Sequence, residues 1–268
     1  MIARKTWPVA LTVAGSDSGG GAGIQADLKT FAALKVHGAS AIACLTAQNP
    51  RRVLAVAPST PKILRQQMEA IFEELPPHAA KTGMLFSENN ISTVADFFRH
   101  SSFVIRHFPL VVDPVMISTS GARLLKPSAE KALKEELLPL AALVTPNLDE
   151  AEILADQKIR APEDLRVAAR KIVSHYGCAA LVKGGHLKGC AEALDIFFDG
   201  RTELLLSAPY VKGISTHGTG CTYSAAICAA LALGNDLPKA VELGKKFITR
   251  AIADSYRIGR HFALNCPR

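Results

Sequence analysis

The residues best suited to chemistry lie around residue 220. The run Thr216-His-Gly-Thr-Gly-Cys-Thr-Tyr-Ser-Ala-Ala226 places two glycines one residue apart, directly before a stretch of small residues (Ser224, Ala225, Ala226, Ala229, Ala230, Ala232). Glycines leave the amides of Gly218, Thr219, Gly220 and Cys221 unobstructed. A helix starting there adds about half a positive charge at its N-terminus. Such a cradle suits a phosphoryl group or a developing oxyanion. Cys221 falls in the first turn, where the same dipole is expected to lower its thiol pKa from the usual ~8.5. The alternative is a small-residue helix lying close against a sheet, with Cys221 an inert core residue.

A second glycine loop, Gly15-Ser-Asp-Ser-Gly-Gly-Gly-Ala-Gly23, joins a strand to a helix. Three familiar readings fail on its residues. A dinucleotide fingerprint from Gly19 needs glycine or alanine where Ile24 stands, and the uncharged segment 40–45 lacks its partner carboxylate. A phosphate loop from Gly15 lacks its lysine, because Gly20 is followed by Gly21 and Ala22. A nucleophile elbow would need serine at Asp17. The loop either brings backbone N–H groups to a ligand or is a tight turn alone. Asp17, Gln25 and Asp27 make it polar for a turn with no task.

Three more groups sit at the ends of expected strands. Thr145-Pro-Asn-Leu-Asp-Glu150 opens a helix, so Asn147 and Glu150 share a face. An amide oxygen and a carboxylate suit Mg²⁺, but the same pair at the same spacing is a helix-capping box. Lys183-Gly-Gly-His186 puts an amine beside two glycines, within reach of a phosphate, although a solvated lysine is the ordinary case. Asp113-Pro-Val-Met116 puts a carboxylate at the C-terminal end of a strand, where open parallel sheets bind ligands. His175, Cys178, His186 and Cys190 have passable zinc spacing. Against zinc, Cys178 enters an apolar strand and Lys183 intervenes.

The elements that must position these groups alternate along the chain. Segments 9–14, 40–45, 79–81, 110–112, 143–145 and 179–182 read as short buried strands, with helices expected over 24–35, 61–75, 162–176, 219–233 and 237–256. Asp199-Gly200 between two strand-like runs reads as a hairpin. Alternating strands and helices imply a mostly parallel central sheet with helices on both faces, an α/β fold in a single domain over 1–268. The formal net charge of +7 invites a nucleic-acid reading, but the basic residues are scattered and aromatics make up only 6%. The charge fits anionic small molecules instead. The apolar run after Trp7-Pro8 is short and opens into the glycine loop, so it reads as a first strand of a cytoplasmic protein rather than a signal or membrane segment. Six cysteines without a CxxC pair read as free thiols.

Taken together, the loops resemble the ribokinase-like superfamily and, within it, the hydroxymethylpyrimidine/phosphomethylpyrimidine kinases of thiamine biosynthesis. The resemblance rests on Ala14-Gly-Ser-Asp17, Gly20-Gly-Ala-Gly-Ile-Gln-Ala-Asp-Leu-Lys29, Thr46-Ala-Gln-Asn49, Lys81-Thr-Gly-Met84, Asp113-Pro-Val-Met116, Thr145-Pro-Asn147 with Glu150, Lys183-Gly-Gly-His186 and His217-Gly-Thr-Gly-Cys-Thr222, in that order. It implies a three-layer sandwich, ATP and Mg²⁺, a small pyrimidine substrate and a homodimer. It further implies that Cys221 stands where most of the superfamily carries an aspartate base, with Gly218, Thr219 and Gly220 as the cradle. Gln48 and Asp27 would hold the pyrimidine edge, with Gly23 beside them and Met84 against the ring. Lys183, Asn147 and Thr145 would serve the nucleotide, and Glu150 and Asp113 the metal. Relatives that share the cysteine loop and accept vitamin B6 compounds make pyridoxine or pyridoxal the rival substrate. A silent nucleotide-binding regulator is the rival class. The chain departs from the pattern at Ser18, where proline is common, and in a shortened C-terminal segment, 259–265.

Overall fold

Strands that read as short apolar runs assemble into one nine-stranded sheet, and the computed structural model describes residues 6–102, 108–116, 125–185, 187, 189–211 and 217–266 of the chain. The strands are β1 (Val9–Asp17), β2 (His37–Asn49), β3 (Arg52–Pro58), β4 (Ala79–Thr82), β5 (Leu110–Val112), β6 (Leu143–Val144), β7 (Ala179–Lys183), β8 (Glu192–Phe198) and β9 (Glu203–Pro209). They lie in the order β3-β2-β1-β4-β5-β6-β7-β8-β9. The six from β2 to β7 run parallel, while β3, β8 and β9 pair antiparallel at the two edges. Helices α1 (Gly23–Ala33), α7 (Thr219–Ala232) and α8 (Leu237–Ala253) cover one face. The other face carries α2 (Pro61–Glu74), α3 (Glu88–His100), α4 (Pro127–Ala132), α5 (Leu148–Ala155) and α6 (Pro162–Tyr176).

The pleat sorts side chains between two cores. Leu11, Val13, Ala80, Val112 and Val182 face α2–α6, whereas Ala10, Ala79, Val111, Leu181 and Phe197 face α1, α7 and α8. By the same period of two, Thr12, Lys81, Asp113, Lys183 and Asp195 fall on the α1/α7/α8 face. That face therefore holds the charged groups.

Local signals set most boundaries. Thr60 caps α2 by accepting from Ile63 N at 3.3 Å, with Pro61 in the first turn. Gly177, at φ 74°, ends α6 in a left-handed turn. The Asp199-Gly200 hairpin forms as expected, with Asp199 Oδ1 accepting from the N–H groups of Arg201 and Thr202. Two expectations need correction. The helix expected over 237–256 stops at Ala253, and residues from Tyr256 onward form a small hairpin, β10 (Tyr256–Ile258) with β11 (His261–Ala263). β2 runs on to Asn49 and is paired by β3, an edge strand that its largely exposed, unpatterned side chains did not announce.

Candidate active site

The site is built where the two glycine loops meet at the C-terminal ends of the parallel strands. Asp17 organises the first loop. Its carboxylate accepts from the N–H groups of Gly19 (2.7 Å), Gly21 (3.1 Å) and Ala22 (2.9 Å), and lies 3.2 Å from His217 Nε2. Burial works against that charge, but His217 and the amide donors outweigh it and hold the Asp17 carboxyl below its ordinary range. Gln25 accepts from Asp17 N and donates to Ser16, so the polar residues of this loop hold its shape. Ser18 exchanges two 2.8 Å hydrogen bonds with the backbone of Gln48, tying the loop to the end of β2.

Gly218 precedes α7 at φ 81°, and a Cβ there would collide with the carbonyl oxygen of Gly21. The first turn of α7 thus sits against the first loop, where the Gly23 amide favours the ionised form of the Cys221 thiol. Across the cleft, a Cβ on Gly220 would lie 3.3 Å from Lys183 Nζ and 3.6 Å from Asp113 Oδ2. Lys183 Nζ is 3.2 Å from Asp113 Oδ1, and Ser224 Oγ is 3.4 Å from Oδ2. The cradle, the amine and the strand-end carboxylate predicted from sequence therefore share one cleft.

Burial costs the Lys183 amine its charge, but Asp113 and Glu150 outweigh it and hold its pKa above the usual range. Gln48, half-buried at the end of β2, carries no side-chain hydrogen bond to the described residues, which leaves its amide available to a ligand. Met84 follows β4 and is partly accessible. Gly23, at φ 56°, opens α1, and a Cβ there would strike the Gly15 carbonyl.

Four sequence expectations change. Cys221 does not have a depressed pKa: burial pushes the thiol up to about 11, with Lys81 opposing and Asp27 and Asp113 reinforcing. Desolvation of this partly buried thiol, with the two carboxylates beside it, outweighs the Lys81 ammonium and the Gly23 amide. Asp27 presents no open carboxylate to a ligand. It is fully buried, pairs with Lys81 Nζ at 3.0 and 3.1 Å, and accepts from Thr12 Oγ1 at 2.6 Å. Thr145 is likewise buried, its hydroxyl 3.2 Å from Asp113 Oδ1, so it orients that carboxylate rather than facing a nucleotide.

The fourth concerns Asn147 and Glu150, which form the capping box. Glu150 N donates to Asn147 Oδ1 at 3.0 Å, and Asn147 N donates to Glu150 Oε2 at 2.9 Å. Glu150 Oε1 also accepts from Met116 N at 3.0 Å, next to Val115 at φ 45°. The carboxylate thus ties the turn after β5 to the turn after β6. Burial raises its pKa to about 7, with Lys183 opposing and Asp113 adding.

Lys81 escaped the sequence reading as a site residue. A fully buried lysine inside the apolar strand Ala79–Thr82 was itself the signal, because a buried ammonium requires a partner. Burial lowers its pKa, and Asp27, Cys221 and Asp113 raise it further than burial lowers it. His186 and Thr216 lie outside the described residues.

A phosphoryl cradle at the end of a doubly covered parallel sheet places the molecule among ribokinase-like phosphotransferases, and solved structures agree. The Bacillus subtilis pyridoxal kinase, an ADP complex, superposes with a TM-score of 0.89 at 36% identity, covering 97% of this chain and 98% of that one. The phosphomethylpyrimidine kinase of Clostridium difficile 630 gives 0.80 at 43% identity, covering 91% and 99%. The phosphomethylpyrimidine kinase family pattern matches residues 17–265. The hydroxymethylpyrimidine/phosphomethylpyrimidine kinase of Rhizobium meliloti is 50% identical over 255 residues, 94% of each chain. That of Bacillus subtilis is 42% identical over 260 residues, covering 95% of this chain and 94% of its own. This chain belongs to the phosphomethylpyrimidine kinase family.

Proposed function

We propose that the chain transfers the γ-phosphoryl group of ATP to the hydroxymethyl group of 4-amino-5-hydroxymethyl-2-methylpyrimidine, and then phosphorylates the monophosphate to the diphosphate, in thiamine biosynthesis. The observation that carries this reading is the approach of Gly220 to both Lys183 and Asp113. A transferred phosphoryl group would there meet backbone N–H donors on one side and an ammonium on the other. Phosphoryl transfer asks for little beyond such positioning and charge stabilisation.

In each step the substrate oxygen attacks the γ-phosphorus, the bond to the ADP oxygen breaks, and the cradle and Lys183 stabilise the equatorial oxygens. In the first step Cys221, as the thiolate left once its own proton has passed to solvent, receives the hydroxyl proton. With a thiol pKa near 11, Cys221 is a strong base but rarely ionised near neutral pH. Gln48 offers one donor and one acceptor to the aminopyrimidine edge, and Met84 lies against the ring.

Among the described residues no three acid, histidine or cysteine side chains gather as a metal cluster. That still fits Mg²⁺, which keeps several waters and binds chiefly to nucleotide phosphates with one or two carboxylates. Asp113 would hold the ion in this reading, and Glu150, with each oxygen already accepting an N–H, would lend its negative charge from behind. The ion would neutralise phosphate charge. Asn147 serves the nucleotide end through the turn it caps.

Exposed Leu45, Val53 and Leu54 on the β2–β3 edge support the homodimer. The cytoplasmic setting goes with a soluble biosynthetic substrate, and no helix among the described residues is long and apolar enough to cross a membrane.

The likeness to pyridoxal kinases favours a second, weaker activity on pyridoxal. The Staphylococcus aureus enzyme, solved with AMP-PCP and pyridoxal, is 32% identical with a TM-score of 0.87. Measuring kcat/KM for both substrates separates the two. The hydroxymethylpyrimidine is expected to be preferred at least tenfold, and the reverse order would reassign the enzyme as a vitamin B6 kinase.

A further inference from the structure

Besides Asp113 and Glu150, Lys183 neighbours a further carboxylate. In the antiparallel β7–β8 pair it sits directly opposite Asp195, so both side chains leave the sheet on the same face. A bare carboxylate there would compete with Asp113 for the Lys183 amine. It is not bare. Lys245, from α8, places its Nζ 2.7 Å from Asp195 Oδ2 and donates to Ala193 O at 3.0 Å, with side-chain exposures of 10% for Lys245 and 4% for Asp195. Asp195 Oδ1 accepts from Gly184 N at 3.1 Å, the residue after Lys183.

The approach of α8 is made possible by Gly244, where a Cβ would meet Ile227 Cγ1 at 2.5 Å and Tyr223 Cε2 at 3.1 Å on α7. The same contact joins Lys245 to the helix that begins with the cradle. With Asp195 occupied on both oxygens, the Lys183 amine lies against Asp113 and Gly220.

We propose that Lys245 is a positioning residue for phosphoryl transfer: by neutralising Asp195 it leaves the Lys183 amine to Asp113 and the cradle. The inference rests on the kinase reading above. A buried carboxylate that loses its cation is left as an uncompensated charge, and the nearest remaining ammonium is that of its cross-strand neighbour Lys183. A purely structural ion pair would govern melting temperature and leave the kinetics of the folded enzyme alone.

The test compares full-length wild type, Lys245→Met and the double variant Asp195→Asn/Lys245→Met. Wild-type turnover of the hydroxymethylpyrimidine is established first; its absence would defeat the kinase reading rather than this inference. Lys245→Met is expected to lose about tenfold or more in kcat/KM for ATP, with KM for the pyrimidine within threefold of wild type. The double variant removes the bare charge but keeps an acceptor for Gly184 N–H, and is expected to recover to within fivefold of wild type. A loss under fivefold in Lys245→Met, or a double variant still impaired more than fivefold, overturns the assignment. Should Lys245→Met not fold, Lys245→Gln, which keeps a donor for Ala193 O but leaves Asp195 without its cation, is judged by the same limits.

Discussion

Gly218 lies so close to Gly21 that a side chain at 218 would collide with the Gly21 carbonyl oxygen, and its φ of 81° disfavours any side chain besides. The two glycine loops are therefore one structure, although about 200 residues separate them. Gly218→Ala should force the loops apart, costing about 1–3 kcal/mol of stability and most of the activity. Gly220→Ala is the informative contrast. Its backbone is unstrained, and the added methyl would fill the gap toward Lys183 Nζ at 3.3 Å. Thermal melting should shift little for Gly220→Ala while kcat falls at least tenfold; equal kinetics would mean that no phosphoryl group occupies that gap.

Gln48→Ala tests pyrimidine recognition. The Gln48 amide, with no side-chain hydrogen bond among the described residues, lies beside the loop that Ser18 ties down. Losing a paired polar contact in a desolvated site costs about 1–3 kcal/mol, roughly ten- to a hundredfold. KM for the hydroxymethylpyrimidine should rise by that factor with KM for ATP unchanged. Unaltered steady-state kinetics would move the base to another part of the cleft.

Glu150→Gln separates clamp from ligand. The carboxylate holds Met116 N and Asn147 N together, so the variant should melt lower at neutral pH and need only modestly more Mg²⁺ for half-maximal rate. Its pKa, raised from 4.5 to about 7, fixes a sign. The folded state holds the proton more tightly than the unfolded chain. This group's stabilisation is therefore full below about pH 4.5 and is lost as pH rises through about 7. Wild-type melting temperature should fall relative to Glu150→Gln across that window. A large rise in Mg²⁺ requirement with unchanged melting would make Glu150 a direct ligand.

Much of the architecture was legible because strand and helix signals are local. Glycine at 177 and 200, the cap at Thr60 and the apolar runs of β1, β5 and β7 each act within a few residues. Cradle, amine and Asp113 were legible as motifs at strand ends, where a parallel sheet must gather them. Pairings across the fold were not. The Lys81–Asp27 pair joins residues 54 positions apart, and only the assembled sheet buries it. The thiol pKa was misread for the same reason, since a helix dipole can be inferred from sequence but the desolvation around Cys221 cannot. β3 was missed because an exposed edge strand needs no hydrophobic alternation.

Cys221 is the next test. A thiol held up to about 11 stays protonated through neutral pH and ionises as pH rises. Alkylation of Cys221 by iodoacetamide, followed by peptide mass spectrometry, should accelerate about tenfold per pH unit from 7 to 10. A plateau below pH 9 would show a depressed pKa after all. Cys221→Ser should lower kcat by about 10²–10⁴ with little change in KM, and Cys221→Asp should recover part of it. A serine variant within threefold of wild type would leave Cys221 a packing residue.

One site should phosphorylate the pyrimidine twice. A time course of purified enzyme with ATP, Mg²⁺ and 4-amino-5-hydroxymethyl-2-methylpyrimidine, followed by ³¹P NMR, addresses it directly. A monophosphate should rise first and then decline as the diphosphate accumulates, with ADP per pyrimidine consumed climbing from one equivalent to two. Hydrolysis of ATP without any phosphorylated pyrimidine would contradict it.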